Sequence, residues 1–216
     1  MAPPAYYKSD VTLVVLENTH NLAGGTVLGL AETQEVVDAA REAGFRVHVD
    51  GARIWNAATA LGVPASALVA GADTAMTCLS KGLGCPVGSL VASSSERIEK
   101  ARRVRKLLGG GMRQAGVLAA AGLHALEHHR QRLSEDHAAA RRLADALRER
   151  DCAVPEPDTN IVMFEPADPG AFQRAAADQG LLVGRFDRAR LRAVTHLDVA
   201  ADLEEALARI RGLPLP

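Results

Sequence analysis

Aromatic residues are scarce in this sequence, at 3% of its 216 residues, although hydrophobic residues make up 48% of it. A folded core must therefore be built from aliphatic side chains, mainly those of alanine, leucine and valine. The formal net charge of −1 gives no electrostatic reason to expect a nucleic acid or an anionic membrane as a partner. The chain is long enough for one large domain, or for a large domain followed by a smaller one.

Cysteine is also rare, and its three residues (Cys78, Cys85 and Cys152) do not have the spacing of zinc ligands. Their odd number favours reduced thiols in a cytoplasmic protein. Residues 1–7 lack the apolar core of a secretion signal, and no segment is long enough to span a bilayer. We therefore expect a cytoplasmic protein without a bound metal.

Strand-like and helical segments alternate along the first part of the chain, which predicts an α/β fold. Continuous β-branched and aliphatic runs predict parallel strands in a sheet with helices on both faces. The short connection before residues 88–93 predicts one antiparallel strand there. We expect a large domain over 1–150, ending in a long connector helix over 112–150 or in two helices with a bend, and a small α+β domain over 151–216. Strands of the small domain are predicted at 159–164, 181–183 and 191–195.

Polar side chains follow three of the predicted strands, and ligands bind at the carboxyl ends of strands in such sheets. This rule predicts that three groups of residues meet at one edge of the sheet: Asn18 and His20 from the first strand, Asp50 and Arg53 from the second, and Lys81 from the third. Each residue has an ordinary interpretation as well. A lysine often reaches solvent, an aspartate often closes a turn, and an arginine often lies on the surface. The alternative is an amine that is withdrawn from water and forms a Schiff base.

Five segments carry a resemblance to a known family: LENTHN at 16–21, HVDGAR at 48–53, SKGLGCPVGS at 80–89, GGGMRQ at 109–114 and RAVTHLDV at 192–199. In this order they are similar to the low-specificity L-threonine aldolases, which are pyridoxal 5'-phosphate (PLP) enzymes of fold type I. The resemblance extends over nearly the whole chain. It implies that 1–150 is part of a PLP-binding large domain and that 151–216 is the small domain.

The resemblance also implies a role for each matched residue. Lys81 would hold PLP as a Schiff base, and Asp50 would pair with the pyridine nitrogen. Arg53 would lie beside the ring oxygen of the cofactor and the substrate carboxylate, which Arg192 would also bind. Arg113 would reach the cofactor phosphate, in this family usually across a subunit interface. A homo-oligomer, dimer or tetramer, with sites at the interface is therefore expected.

The implied reaction is the cleavage of L-threonine, L-allo-threonine and similar β-hydroxy amino acids to glycine and an aldehyde. Such a lyase belongs to amino-acid metabolism, and its partner is a small amino-acid substrate. A base must remove the proton of the β-hydroxyl group. His48 and His20 are both candidates because they lie near the ends of predicted strands.

The sequence departs from the family in one respect. Family members carry a sizeable N-terminal part before the segment at 16–21, which supplies the first strands of the sheet and a loop around the cofactor phosphate. Without that part, strand edges and apolar faces are expected to be exposed. Two alternatives to the aldolase remain open. One is a non-catalytic remnant that needs a partner chain, and the other is a fold type I enzyme that performs transamination or β-elimination.

Overall fold

The larger of two β-sheets contains four strands in the computed structural model, which describes residues 10–214. These strands are β1 (Leu13–Glu17), β2 (Arg46–Gly51), β3 (Thr74–Cys78) and β4 (Ser89–Ser93). Their order in the sheet is β1-β2-β3-β4, with β1, β2 and β3 parallel and β4 antiparallel to β3. The α/β class and the antiparallel strand are thus confirmed.

Three helices cover one face of this sheet: α1 (Leu30–Glu42), α2 (Ile54–Leu61) and α3 (Ala65–Leu68). Val47 and Val49 alternate along β2 toward these helices and are almost completely buried. Val47 packs with Val37 of α1, and Val49 packs with Ile54 of α2. Burial of each such side chain stabilises the fold by about 1.5–3 kcal/mol.

The opposite face of the large sheet, which we call the open face, carries Val15, His48, Asp50, Met76 and Val91. The strand register places these residues on one side because side chains alternate along each strand. Val15 and Val91 remain 56% and 53% exposed. The open face therefore shows the exposed apolar surface that the sequence predicts.

Three further helices follow the large sheet: α4 (Ser95–Leu107), α5 (Gly116–His128) and α6 (Leu133–Arg148). Of the two predicted forms of the connector, one long helix or two helices with a bend, the structure has the second, since a turn at 129–132 separates α5 from α6. The Nδ1 atom of His129 lies 2.7 Å from the carbonyl oxygen of Leu83, and the guanidinium of Arg130 lies 5.4 Å from the ring centre of Trp55. These contacts with distant segments hold the turn, which contains neither glycine nor proline.

The smaller sheet has three antiparallel strands: β5 (Ile161–Phe164), β6 (Gly184–Arg185) and β7 (Leu191–Val194), in the order β5-β7-β6. The helices α7 (Pro169–Asp178) and α8 (Leu203–Arg211) accompany it. The strand predicted at 181–183 is wrong because this segment binds back to α7. The amide of Leu181 donates to the carbonyl of Ala176 at 2.8 Å, and the carbonyl of Val183 accepts from Gln173 at 3.1 Å.

Helix α6 supplies much of the core of the smaller sheet, where Leu143 and Leu147 pack with Phe164 and Phe172. The domain boundary after residue 150 stays a prediction. None of the helices in the part of the chain that the structure describes combines the length and apolar character needed to cross a membrane. The prediction about residues 1–7 lies outside the described residues.

Candidate active site

A cleft of about 390 Å³ opens between the carboxyl ends of the large sheet and the smaller sheet. Arg53 and the segment that contains Lys81 line it on one side. Asn160, which precedes β5, and His196, which follows β7, line it on the other. The cleft thus has the location that the topological rule predicts, and both sheets contribute to its walls.

Lys81 lies three residues beyond the end of β3, in a tight loop that closes on itself. The carbonyl of Lys81 accepts from the amide of Gly84 at 2.8 Å, and the carbonyl of Leu79 accepts from the amide of Cys85 at 3.0 Å. The side chain of Lys81 lines the cleft but is exposed to solvent. The sequence-based expectation of an amine withdrawn from water is therefore not met in the described part of the chain.

Gly82 allows the loop to pack closely against neighbouring side chains. A Cβ atom at this position would lie 2.8 Å from the Cδ2 atom of Leu133 and 3.3 Å from the Oδ1 atom of Asn56. Asn56 is itself buried and bonds through Nδ2 to Nε2 of the buried His137 at 3.1 Å. A larger residue at Gly82 would therefore displace the segment that carries Lys81.

We expect His137 to make the folded protein less stable in acid. Burial, followed by the charge of Arg141, lowers the pKa of His137 from 6.5 to about 4. The unfolded chain therefore binds a proton below pH 6.5 that the folded chain does not bind until about pH 4. The free energy of unfolding should therefore decrease as the pH falls from 6.5 to about 4, by about 3 kcal/mol at most.

Denaturant unfolding at a series of pH values measures this effect. The variant His137→Gln removes the titrating group, so the free energy of unfolding should depend less on pH between neutral pH and pH 4. An unchanged pH dependence in the variant would show that His137 does not titrate as described.

Asp50 lies near the end of β2, on the open face, between Glu17 of β1 and Met76 of β3 in the register. Its Oδ1 atom accepts from the amide of Ala52 at 3.1 Å, so the turn after β2 fixes one carboxylate oxygen. Arg53 follows three residues later and lines the cleft. The two residues thus belong to one short turn, but Asp50 is not among the described residues that line the cleft.

Arg53 and Arg192, which we call the arginine pair, converge on one neutral oxygen. The Oδ1 atom of Asn21 accepts from Nη1 of Arg192 at 2.8 Å and from Nη1 of Arg53 at 3.4 Å. Burial lowers the pKa of Arg53, the charge of Arg192 lowers it further, and the charge of Glu17 partly opposes these effects. The arginine pair therefore carries positive charge that an anion would neutralise, and Arg53 is the member of the pair that lines the cleft.

The two histidines that the sequence offers as candidate bases, His48 and His20, lie outside the lining of the cleft. His48 on the open face bonds to the hydroxyl of Thr74 at 2.6 Å, and exposed His20 lies 3.6 Å from Glu17. Neither histidine is among the described residues that line the cleft, whereas His196 is. Sequence reasoning passed over His196 although it stands in the matched segment at 192–199.

Arg113 lies in the loop between α4 and α5, where its side chain is exposed. It is not among the described residues that line the cleft. The loop therefore does not bring Arg113 to Lys81 within the described part of one chain.

Asn160 is a second residue that sequence reasoning missed. Its side chain is 2% exposed, and its Nδ2 atom donates to the carbonyl of Thr195 at 2.8 Å. Its Oδ1 atom is buried without a hydrogen-bond partner among the described residues. A buried acceptor of this kind costs free energy unless a donor reaches it, so the wall of the cleft has unused capacity for a polar ligand.

Comparisons with known proteins agree with this description. The family model for beta-eliminating lyases matches residues 2–169. The chain is 42% identical over 192 residues to "Low-specificity L-threonine aldolase 1" of Arabidopsis thaliana, covering 85% of this chain and 54% of that protein. It is 41% identical over 220 residues to the "Low specificity L-threonine aldolase" of Escherichia coli K12, covering 97% of this chain and 62% of that protein. The chain thus spans little more than half the length of these relatives.

Solved structures show the same fold at low sequence identity. A threonine aldolase from Leishmania major matches with a TM-score of 0.79 at 16% identity, covering 97% of this chain and 62% of that chain. A serine palmitoyltransferase from Sphingomonas wittichii matches with a TM-score of 0.70 at 21% identity, covering 94% of this chain and 54% of that chain. The predicted fold type I is thereby confirmed, as is the resemblance in sequence.

Proposed function

This chain belongs to the beta-eliminating lyase family, and on that premise we propose that it is a PLP-dependent aldehyde-lyase. The proposed reaction cleaves L-threonine, L-allo-threonine and similar β-hydroxy amino acids to glycine and an aldehyde. The observation that carries the proposal is that Lys81 and Arg53 line one cleft, and that Arg192 converges with Arg53 on the side chain of Asn21. The relatives named as threonine aldolases support the choice of substrate.

Two residues that line the cleft, and a third that lies close to Arg53, fit PLP by their chemistry. Lys81 supplies an accessible amine for covalent attachment, Asp50 supplies a carboxylate for the pyridine nitrogen, and Arg53 supplies a donor for the ring oxygen. When bound, PLP supplies an electron sink that accepts the electrons of the bond that breaks. Lys81 lines a cleft of about 390 Å³, which offers space for the ring beside it.

The arginine pair binds the substrate carboxylate in this proposal. Two guanidinium groups in fixed positions orient an amino acid more strongly than one, because each bond is charge-assisted. That orientation selects which bond of the α-carbon is aligned for cleavage. Arg53 comes from the turn after β2 and Arg192 from β7, so both sheets are needed to position the substrate.

A base must accept the proton of the β-hydroxyl group while the bond between Cα and Cβ breaks. His48 and His20 remain candidates for this base. His196 is a third candidate, supported by its place in the wall of the cleft. Its Nδ1 atom accepts from the amide of Asp198 at 3.2 Å, so Nε2 carries the proton of the neutral ring, and Nδ1 can act as the base only after this bond is broken.

We propose in addition that the protein forms a homo-oligomer in the cytoplasm, where it acts in amino-acid metabolism. An exposed apolar patch, the α4–α5 corner, consists of Leu107, Leu108, Met112 and Val117. Leu107 and Leu108 are 83% and 82% exposed, and Arg113 lies within the same corner. Contact with a second copy would bury the patch and bring Arg113 toward a neighbouring cofactor phosphate.

The variant Leu108→Asp is expected to dissociate the oligomer. A carboxylate in a buried apolar contact costs several kcal/mol, so the dissociation constant should rise by about 10²-fold or more. Light scattering of the purified protein measures the molar mass. Leu182→Asp is the matched control, because Leu182 is 91% exposed and lies in the small domain. A monomeric wild type, or an unchanged mass for Leu108→Asp, would contradict the proposed interface.

The proposed reaction is tested by incubating the PLP-loaded chain with L-threonine. Equal amounts of acetaldehyde and glycine are expected. Release of ammonia with a keto acid would indicate β-elimination instead, and formation of a keto acid without ammonia would indicate transamination. Attachment of PLP without any product would favour a chain that needs a partner.

A further inference from the structure

The amide oxygen of Asn21 occupies the point at which the arginine pair converges. It lies 2.8 Å from Nη1 of Arg192 and 3.4 Å from Nη1 of Arg53. An amide oxygen and a carboxylate oxygen have nearly the same size and accept the same donors. Asn21 therefore stands where one oxygen of a bound carboxylate would be expected.

The backbone of Asn21 is firmly held, so this placement is built into the fold. Its amide donates to the Oε1 atom of Glu17 at 3.0 Å, and its carbonyl accepts from the amide of Gly24 at 3.1 Å. The following residue, Gly25, accepts through its carbonyl from the hydroxyl of Thr159 at 3.1 Å. The loop after β1 is thus hydrogen-bonded both to β1 of the large sheet and to the segment that precedes the smaller sheet.

The electrostatic balance at this point is incomplete. The neutral amide of Asn21 bonds to each guanidinium but cancels neither charge, and the carboxylates of Glu17 and Asp50 only partly offset the effects of burial and of Arg192 on Arg53. A carboxylate in the same place would make stronger, charge-assisted bonds and remove the repulsion. A carboxylate ligand is therefore able to displace the amide, while the amide keeps the two guanidinium groups together in the absence of a ligand.

We propose that Asn21 is an internal stand-in for the substrate carboxylate, which holds the arginine pair in its binding arrangement and is displaced when the carboxylate binds. The proposal rests on the proposed function only for the nature of the ligand, a small amino acid. It assigns Asn21 the role of a positioning residue that sets the affinity for carboxylates. Every ligand that binds to the arginine pair must first displace the amide of Asn21, and the free energy of this displacement weakens its binding.

Two substitutions at Asn21 should have opposite effects. Asn21→Asp places a permanent carboxylate between the guanidinium groups, so acetate should bind at least about tenfold more weakly, and the unliganded protein should melt at a higher temperature. Asn21→Ala removes the stand-in, so the unliganded protein should melt at a lower temperature. Acetate should bind to Asn21→Ala at least as tightly as to the wild type, because no amide has to move aside.

Thermal unfolding with increasing acetate, against sodium chloride at equal ionic strength, measures both quantities. Gln131→Glu is the matched control, because it adds the same charge at an exposed position outside the cleft. Weaker acetate binding in both Asn21 variants would show that Asn21 binds the ligand alongside the arginines and would overturn the proposal. A wild type that acetate does not stabilise would overturn it as well. Attachment of PLP to Lys81 is measured separately, so failure of the proposed function remains distinguishable.

Discussion

Lys81→Ala is expected to abolish covalent attachment of PLP and to slow aldehyde release by at least about 10³-fold. The amine of Lys81 is the amine that the described structure places in the cleft, beside Arg53. Alanine at this position leaves the loop intact, because the bonds that close it come from backbone atoms. The visible absorbance band that appears when PLP is added to the wild type should therefore be missing in a folded variant.

The control for this experiment is Lys100→Ala. Lys100 lies on α4, where its ammonium group pairs with Glu96 at 2.7 Å on an exposed surface. PLP can react with surface lysines, and this variant measures such a background. If Lys81→Ala kept the absorbance band while Lys100→Ala lost it, Lys81 would not be the attachment site.

Asp50→Asn should leave PLP attached to Lys81 but slow the cleavage by about 10-fold to 10²-fold. The carboxylate of Asp50 is proposed to keep the pyridine nitrogen protonated, which makes the ring an effective electron sink. Loss of one hydrogen bond between charged partners costs about 1.5–3 kcal/mol, which corresponds to this reduction in rate. The absorbance band tests the attachment, and the kcat for aldehyde release tests the chemistry.

Asp38→Asn is a suitable control, because Asp38 lies on the exposed side of α1 and bonds only to Gln34 among the described side chains. Its kcat should equal that of the wild type. A kcat for Asp50→Asn that also equals the wild-type value would remove the proposed role of Asp50. Loss of the absorbance band in Asp50→Asn would instead assign Asp50 to cofactor binding rather than to the reaction.

The sequence predicts the large sheet well because its signals are local. The apolar residues Val47 and Val49 alternate with polar residues along β2, and the short connection before β4 permits only an antiparallel neighbour. Once the strands are placed, the topological rule locates Lys81 and Arg53 at the same cleft. The matched segments then supply the chemistry.

The remaining features depend on contacts between distant segments, which leave no local signal. The turn between α5 and α6 is set by the contact between His129 and Leu83, and residues 181–183 bind to α7 through Gln173. The place of Asn21 between two arginines requires both sheets to be in position. The exposure of Lys81 likewise depends on which segments lie above the loop, and its sequence alone suggested burial.

Reduction of the PLP-loaded protein with borohydride, followed by peptide mapping, tests the central claim most directly. The reduction fixes the pyridoxyl group on the lysine to which it was attached. A single pyridoxyl group on Lys81 is the predicted result. A protein without any label, or one labelled on Lys100 or Lys106 with Lys81 unmodified, would contradict the assignment of the cleft as a PLP site.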